Sequence, residues 1–91
     1  MNRENVSISL AELQVGECCS VTGVEETSGA AARLLELGLV PGTRIEIRGV
    51  APLGDPMELD VAGYRLSLRR NDARCIRVQR LPTVEPSSSA P

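Results

Sequence analysis

Residues 33–47, Arg-Leu-Leu-Glu-Leu-Gly-Leu-Val-Pro-Gly-Thr-Arg-Ile-Glu-Ile, leave the backbone few choices. Ala30, Leu34 and Leu37 recur at helical spacing and share one face, with Arg33 and Glu36 on the other. Gly38 stands where a helix takes a left-handed residue past its end, a conformation glycine adopts without a Cβ clash. Pro41-Gly42 follows. Proline sets φ at the first corner of a turn and glycine permits positive φ at the second, the pattern of a type II turn. Thr43, Ile45 and Ile47 then alternate with Arg44, Glu46 and Arg48, the period of a half-buried strand. A short helix, with Ser28 as its expected N-cap, therefore feeds a sheet through a rigid corner. The helix has at most about three turns, so packing rather than propensity must hold it.

The flanking residues supply the other strands. Ser9 with Glu12 three positions later forms a capping-box pattern, which predicts one helical turn around Leu10 to Leu13. Val15-Gly16 makes a turn. Residues 17–24 alternate as a first strand, with Cys19 and Val21 inward, Cys18, Ser20 and Thr22 outward, and a bulge allowed at Gly23. Two prolines and a glycine make residues 50–56 an ordered loop. If Ala62-Gly63 is a two-residue turn, Val61 faces Tyr64, Leu59 faces Leu66 and Met57 faces Leu68, all on one face. On the other face Asp60 then meets Arg65 in a cross-strand ion pair. A polar corner at residues 69–73 admits a single helical turn, and residues 75–79 form a last short strand with Ile76 and Val78 inward. The expected organisation is a flexible N-terminus over residues 1–8, a folded domain over 9–80 and a disordered Pro/Ser tail over 81–91. About five short strands with one helix between the first and second read as a mainly β fold, and curling such a sheet into a small barrel covers its apolar faces.

Composition removes several classes of function. Tyr64 is the only aromatic residue among 91, so the core is aliphatic and no platform exists for stacking bases. The net charge of −2 leaves no basic footprint for nucleic acid. There is no histidine, hence no usual general base, metal ligand or pH switch. No nucleophile elbow or phosphate-binding loop is present, and an enzyme is not expected. No apolar run long enough for a membrane span exists, and the N-terminus carries no apolar signal segment. Three cysteines, two of them adjacent, are no disulfide framework, and a cytoplasmic chain with reduced thiols is expected.

Several segments, in order, closely resemble the FeoA family of ferrous iron transport proteins. They are Arg33 to Gly42, Ala-Pro-Leu-Gly-Asp-Pro at 51–56, Gly-Tyr-Arg-Leu-Ser-Leu-Arg at 63–69 and Ala-Arg-Cys-Ile-Arg-Val at 73–78. The resemblance covers roughly residues 10–80. It implies an SH3-like β-barrel carrying a helix. It also implies a small interaction module acting with the membrane ferrous iron permease, FeoB, on its cytosolic side. A similar domain stands at the C-terminus of iron-dependent repressors, whose DNA-binding part this chain has no room for.

Three sets of residues are candidate sites. Cys18 and Cys75, both expected outward on the first and last strands, would be neighbours in such a barrel, and could form a redox-sensitive disulfide or, with Glu17, hold a soft divalent metal, the alternative function being a metal-responsive module. Against this, free cysteines are usually small apolar fillers. Asp55, Glu58 and Asp60 are a weaker hard-cation candidate, more simply a solvated hairpin face. For partner binding, Leu39, Val40 and Pro41 bracket the corner after the helix, and Pro52 and Leu53 occupy the loop after the second strand. Exposed together they would form an apolar recognition patch. The alternative is that Leu39 and Leu53 plug the barrel ends. No cofactor, nucleic acid or membrane insertion is expected, and a weak homo-oligomer is left open. An ordinary polyproline groove needs aromatics this chain lacks.

Overall fold

The computed structural model describes residues 7–25 and 29–82. Residues 1–6 of the flexible segment expected over 1–8, the Ser28 cap, and residues 83–91 of the tail expected over 81–91 lie outside the described residues. The strands are β1 (Ile8–Ser9), β2 (Cys18–Val24), β3 (Arg44–Val50), β4 (Met57–Val61), β5 (Tyr64–Leu68) and β6 (Ile76–Leu81). They form one antiparallel sheet in the order β1-β6-β2-β3-β4-β5. No ladder joins β1 to β5, so the sheet keeps two edges. A 3₁₀ turn (Leu10–Glu12), α1 (Ala31–Glu36) and α2 (Arg70–Ala73) connect the strands.

One strand more is present than the sequence pattern gives. β1 has two residues, too few for a period, and Ile8 pairs with Val78 instead of lying in a flexible segment. Leu81, read as the start of the tail, pairs with Cys18 in β6. The capping box forms as expected: Ser9 Oγ accepts the Ala11 N–H at 3.2 Å and Glu12 Oε2 accepts the Ser9 N–H at 3.4 Å. The bulge in β2 falls between Val21 and Gly23.

The core is aliphatic. Leu10, Leu34, Leu39, Ile45, Ile47, Met57, Leu59, Val61, Ile76 and Val78 are all fully buried, each contributing on the order of 1.5–3 kcal/mol of transfer free energy. α1 has only six residues and no side-chain N-cap, and packing of Ala31 and Leu34 holds it. Its exit follows the sequence reading. Gly38 has φ +97 and Gly42 has φ +94, and Thr43 N–H closes the turn on Val40 O at 3.0 Å. A Cβ at Gly38 would stand 3.1 Å from the Tyr64 hydroxyl, which donates to the Leu37 carbonyl.

The β4–β5 hairpin has the expected register, with Met57 opposite Leu68, Leu59 opposite Leu66 and Val61 opposite Tyr64. Its turn is the mirror-image type I′, because Ala62 and Gly63 both have positive φ, +51 and +99. The expected Asp60–Arg65 ion pair does not form, although the two residues face each other. Asp60 Oδ1 instead accepts the nearer Gly63 N–H at 3.0 Å. An L-residue in the left-handed region carries a cost that asparagine bears more easily. Ala62→Asn is therefore expected to stabilise the protein by about 0.5–1 kcal/mol, read as a higher urea midpoint at unchanged slope.

Candidate functional site

The two halves of the expected apolar patch are not brought together. Val40 and Pro41 precede β3, and Pro52 and Leu53 follow it, which places them about 20 Å apart along the strand. Leu39 is not part of any patch: it is 0% exposed, its side chain in the core cluster and its N–H bonded to Leu34 O at 3.2 Å. The chain turns inward immediately after Gly38, and Val40, at 41% exposure, is the first apolar residue to face out. Leu53 goes the other way. It is 95% exposed, an apolar tip and not a barrel plug.

The loop carrying Leu53 is held from three directions. Gly54 N–H bonds Ala51 O at 2.7 Å and Ala51 N–H bonds Pro56 O at 3.0 Å. Arg70, at the start of α2, donates through Nε to Gly54 O at 2.9 Å and through Nη1 to Ala11 O at 2.7 Å. Its backbone N–H is accepted by Asp55 Oδ1 at 2.9 Å. One guanidinium thus ties the Leu53 loop to the 3₁₀ turn. Charge-assisted bonds of this kind are worth roughly twice a neutral one. Sequence reading missed Arg70, because its partners lie 16 and 59 residues away and no local pattern encodes them.

The cysteines do not form a pair. Cys18 is opposite Leu81, and Val24 is opposite Ile76, so Cys75, just before β6, lies beyond the far end of the ladder, about 20 Å away. Cys75 is in the core cluster and not outward, because it belongs to the turn that leads into β6. Cys18 stays out of that cluster but is only 8% exposed, with the Arg44 Nη2 donating to its Sγ at 3.4 Å. Burial, then the neighbouring Cys18 and Glu17, pushes the Cys19 thiol up to about 12, so it stays protonated at neutral pH. The three hairpin carboxylates are also separately engaged: Asp55 by Arg70 N–H, Glu58 by the Ser67 hydroxyl, Asp60 by Gly63 N–H. Among the described residues no group of three potential metal ligands converges.

Glu17 is bonded at both carboxylate oxygens. Oε1 accepts the Gln14 N–H at 2.7 Å and Oε2 accepts Arg80 Nε at 2.9 Å. The bond from Gln14 N–H is the largest influence and holds the carboxyl below its ordinary range; burial opposes it and Arg80 assists. A lowered folded-state pKa contributes stability that is present above the ordinary carboxylate pKa and lost as pH falls through the folded value. The Glu17→Gln variant is accordingly expected to be less stable than the parent at pH 7, with the gap closing as both are titrated below about pH 4. Urea midpoints of both chains across that range test this, and a gap independent of pH would refute it.

A cleft of about 570 Å³ runs between the end of α1 and β5, floored by Leu37, Leu66 and Leu68. The Arg33–Asp72 ion pair, 2.6 Å, links α1 to α2 across it.

The FeoA domain family matches residues 8–80 of this chain. The chain belongs to that family. The match covers every strand but the last residue of β6. A curated relative, the Fe(2+) transport protein A/Fe(2+) transporter FeoB fusion protein of Porphyromonas gingivalis, is 37% identical over 81 residues. That alignment spans 89% of this chain and only 10% of the relative. The NMR structure of a FeoA-like protein from Clostridium acetobutylicum superposes with a TM-score of 0.80 at 37% identity, covering 87% of this chain and 92% of that one. FeoA of Stenotrophomonas maltophilia, solved with zinc and described as a prokaryotic SH3 domain protein, gives 0.71 at 26% identity over 85% and 99% of the two chains. The FeoA sheet described above is therefore an SH3-like one. Among the described residues of this FeoA protein no helix is long and apolar enough to cross a membrane.

Proposed function

We propose that this FeoA protein is a non-enzymatic, cytoplasmic accessory factor of ferrous iron transport that works by contact with the cytosolic side of the permease FeoB. The observation that carries the reading is the Porphyromonas gingivalis relative, in which the matching segment and FeoB are one polypeptide. Joining two proteins covalently raises their mutual concentration, which is advantageous when they act together. The proposed contact point is Leu53 with Pro52, an apolar tip on an anchored loop, and anchoring lowers the ordering cost of binding. Val40 and Pro41 are a second, separate contact. The effect on the partner comes from contacts that differ between its conformations, and no chemistry, cofactor or resident metal is required. Leu39 has no role in recognition.

The experiment is capture of FeoB from detergent-solubilised membranes on immobilised protein, with the parent and Leu53→Asp compared, with and without ferrous iron and nucleotide. Capture by the parent that is lost with the folded variant supports the reading and locates the contact. Capture by neither, under any condition, refutes stable docking.

A further inference from the structure

The open edge of β5 is the feature that no part of the transport reading uses. We infer that this edge takes up an extended, acidic peptide segment as an additional strand, in the cleft between β5 and α1. The inference goes beyond the partnership proposed above, because it stands on the edge alone and specifies the chemistry of the ligand whichever protein carries it.

β5 is the last strand in the sheet order and pairs only with β4. The two-residue turn makes Val61 and Tyr64 a hydrogen-bonded pair. The backbone groups of Tyr64, Leu66 and Leu68 are therefore spent on β4, and those of Arg65 and Ser67 point to the open side. The cleft beside them has an apolar floor, Leu37 and Leu66, on the face where alternate side chains of an added strand would rest.

Charge selects the ligand. On the outer face β4 carries Glu58 and Asp60, β5 carries Ser67 and Arg65 beside them, and Arg69 follows just past the end of β5. Acidic side chains on an added strand would therefore lie beside Arg65 and Arg69. The carboxylates within reach are already engaged: Asp72 by Arg33, Glu58 by the Ser67 hydroxyl, Asp60 by Gly63 N–H. Arg65 and Arg69 are exposed and form no ion pair among the described residues. A second copy of this chain is a poorer occupant, since even pairing about Leu66, which sets Arg65 against Ser67, lays one basic strand beside another. Antiparallel pairing of two β5 strands about Ser67 would set Arg65 against Arg69 of the other copy, and like charges directly opposite repel.

The test is an NMR titration of the full-length ¹⁵N-labelled chain with the peptide acetyl-Thr-Glu-Val-Glu-Val-Glu-Thr-amide and its Lys-for-Glu counterpart. Shifts are expected at the amides of Arg65, Ser67 and Arg69 with the glutamate peptide alone, weakening on going from about 0.05 to about 0.5 M salt. The Arg65→Glu/Arg69→Glu double variant is expected to lose about tenfold or more in affinity. Ser67→Pro removes an edge N–H without touching the β4 ladder, and is expected to abolish binding. Independently of any variant, saturating peptide should slow hydrogen exchange of the Arg65 and Ser67 amides in the parent. Equal binding of the lysine peptide, shifts located elsewhere, unslowed exchange at those two amides, or self-association of the parent through β5 would each overturn the inference.

Discussion

A Leu39→Asp chain is expected not to fold, whereas Leu53→Asp is expected to melt at the temperature of the parent. Both leucines sit in Gly/Pro-rich corners and look alike in sequence. Leu39 is 0% exposed and Leu53 95%. Removing a buried leucine side chain costs about 2–5 kcal/mol, and an unpaired carboxylate at that site adds several kcal/mol more. That sum approaches the whole stability of a domain of this size, on the order of 5–15 kcal/mol. At Leu53 nothing is packed, and surface changes of this kind stay within about 0.5 kcal/mol. Far-ultraviolet circular dichroism and a melting curve for each variant decide it. A cooperative, parent-like melt for Leu39→Asp would mean the corner after α1 is not packed as described. The same pair makes a control for partner capture, since only Leu53→Asp tests a surface.

Arg70→Met is expected to be the most damaging single change at an arginine, costing about 2–3 kcal/mol and lowering the melting temperature by about 10 °C. The side chain bonds two carbonyls, Gly54 O and Ala11 O, and methionine leaves both without that donor. Contrast Arg33, whose contact to Asp72 is shorter, 2.6 Å, but whose side chain is 61% exposed. Solvent competes for such a pair, and its loss costs at most about 1 kcal/mol. Faster exchange of the Gly54 amide in Arg70→Met, with the β2–β6 amides unchanged, would place the damage in the 51–56 loop. An unaltered melt would show that the loop is held by its own turns.

Much of this was legible in the sequence where the signal is local. The β4–β5 register follows from a two-residue period on both sides of a two-residue turn, and Gly38, Pro41 and Gly42 carry their own backbone requirements. What escaped is what depends on the third dimension. Leu37, Leu39 and Val40 form an apolar run around a glycine, and periodicity does not say which of them the turn directs inward. Cys75 reads as the first residue of a strand but belongs to the turn before it, which reverses its side. Asp60 faces Arg65 as expected, yet a donor three residues along the chain takes its carboxylate first. The metal pair failed for a topological reason: Cys18 starts β2 and Cys75 precedes its neighbour β6, and antiparallel pairing puts those two strand starts at opposite ends.

The pairing of β6 with both β1 and β2 has a consequence for how such a unit is built into larger polypeptides. Ile8 lies opposite Val78, and Leu81 is three residues further along the same strand, so the entry and exit points are about 10 Å apart. A connector of about four residues would join them, which makes the domain a good subject for circular permutation and a cheap insert by loop-closure entropy. Both attachment points sit at the β1–β6 margin, while β5 closes the sheet order at the other end. Tethered there, the unit would hang from its host by one margin and present the other outward.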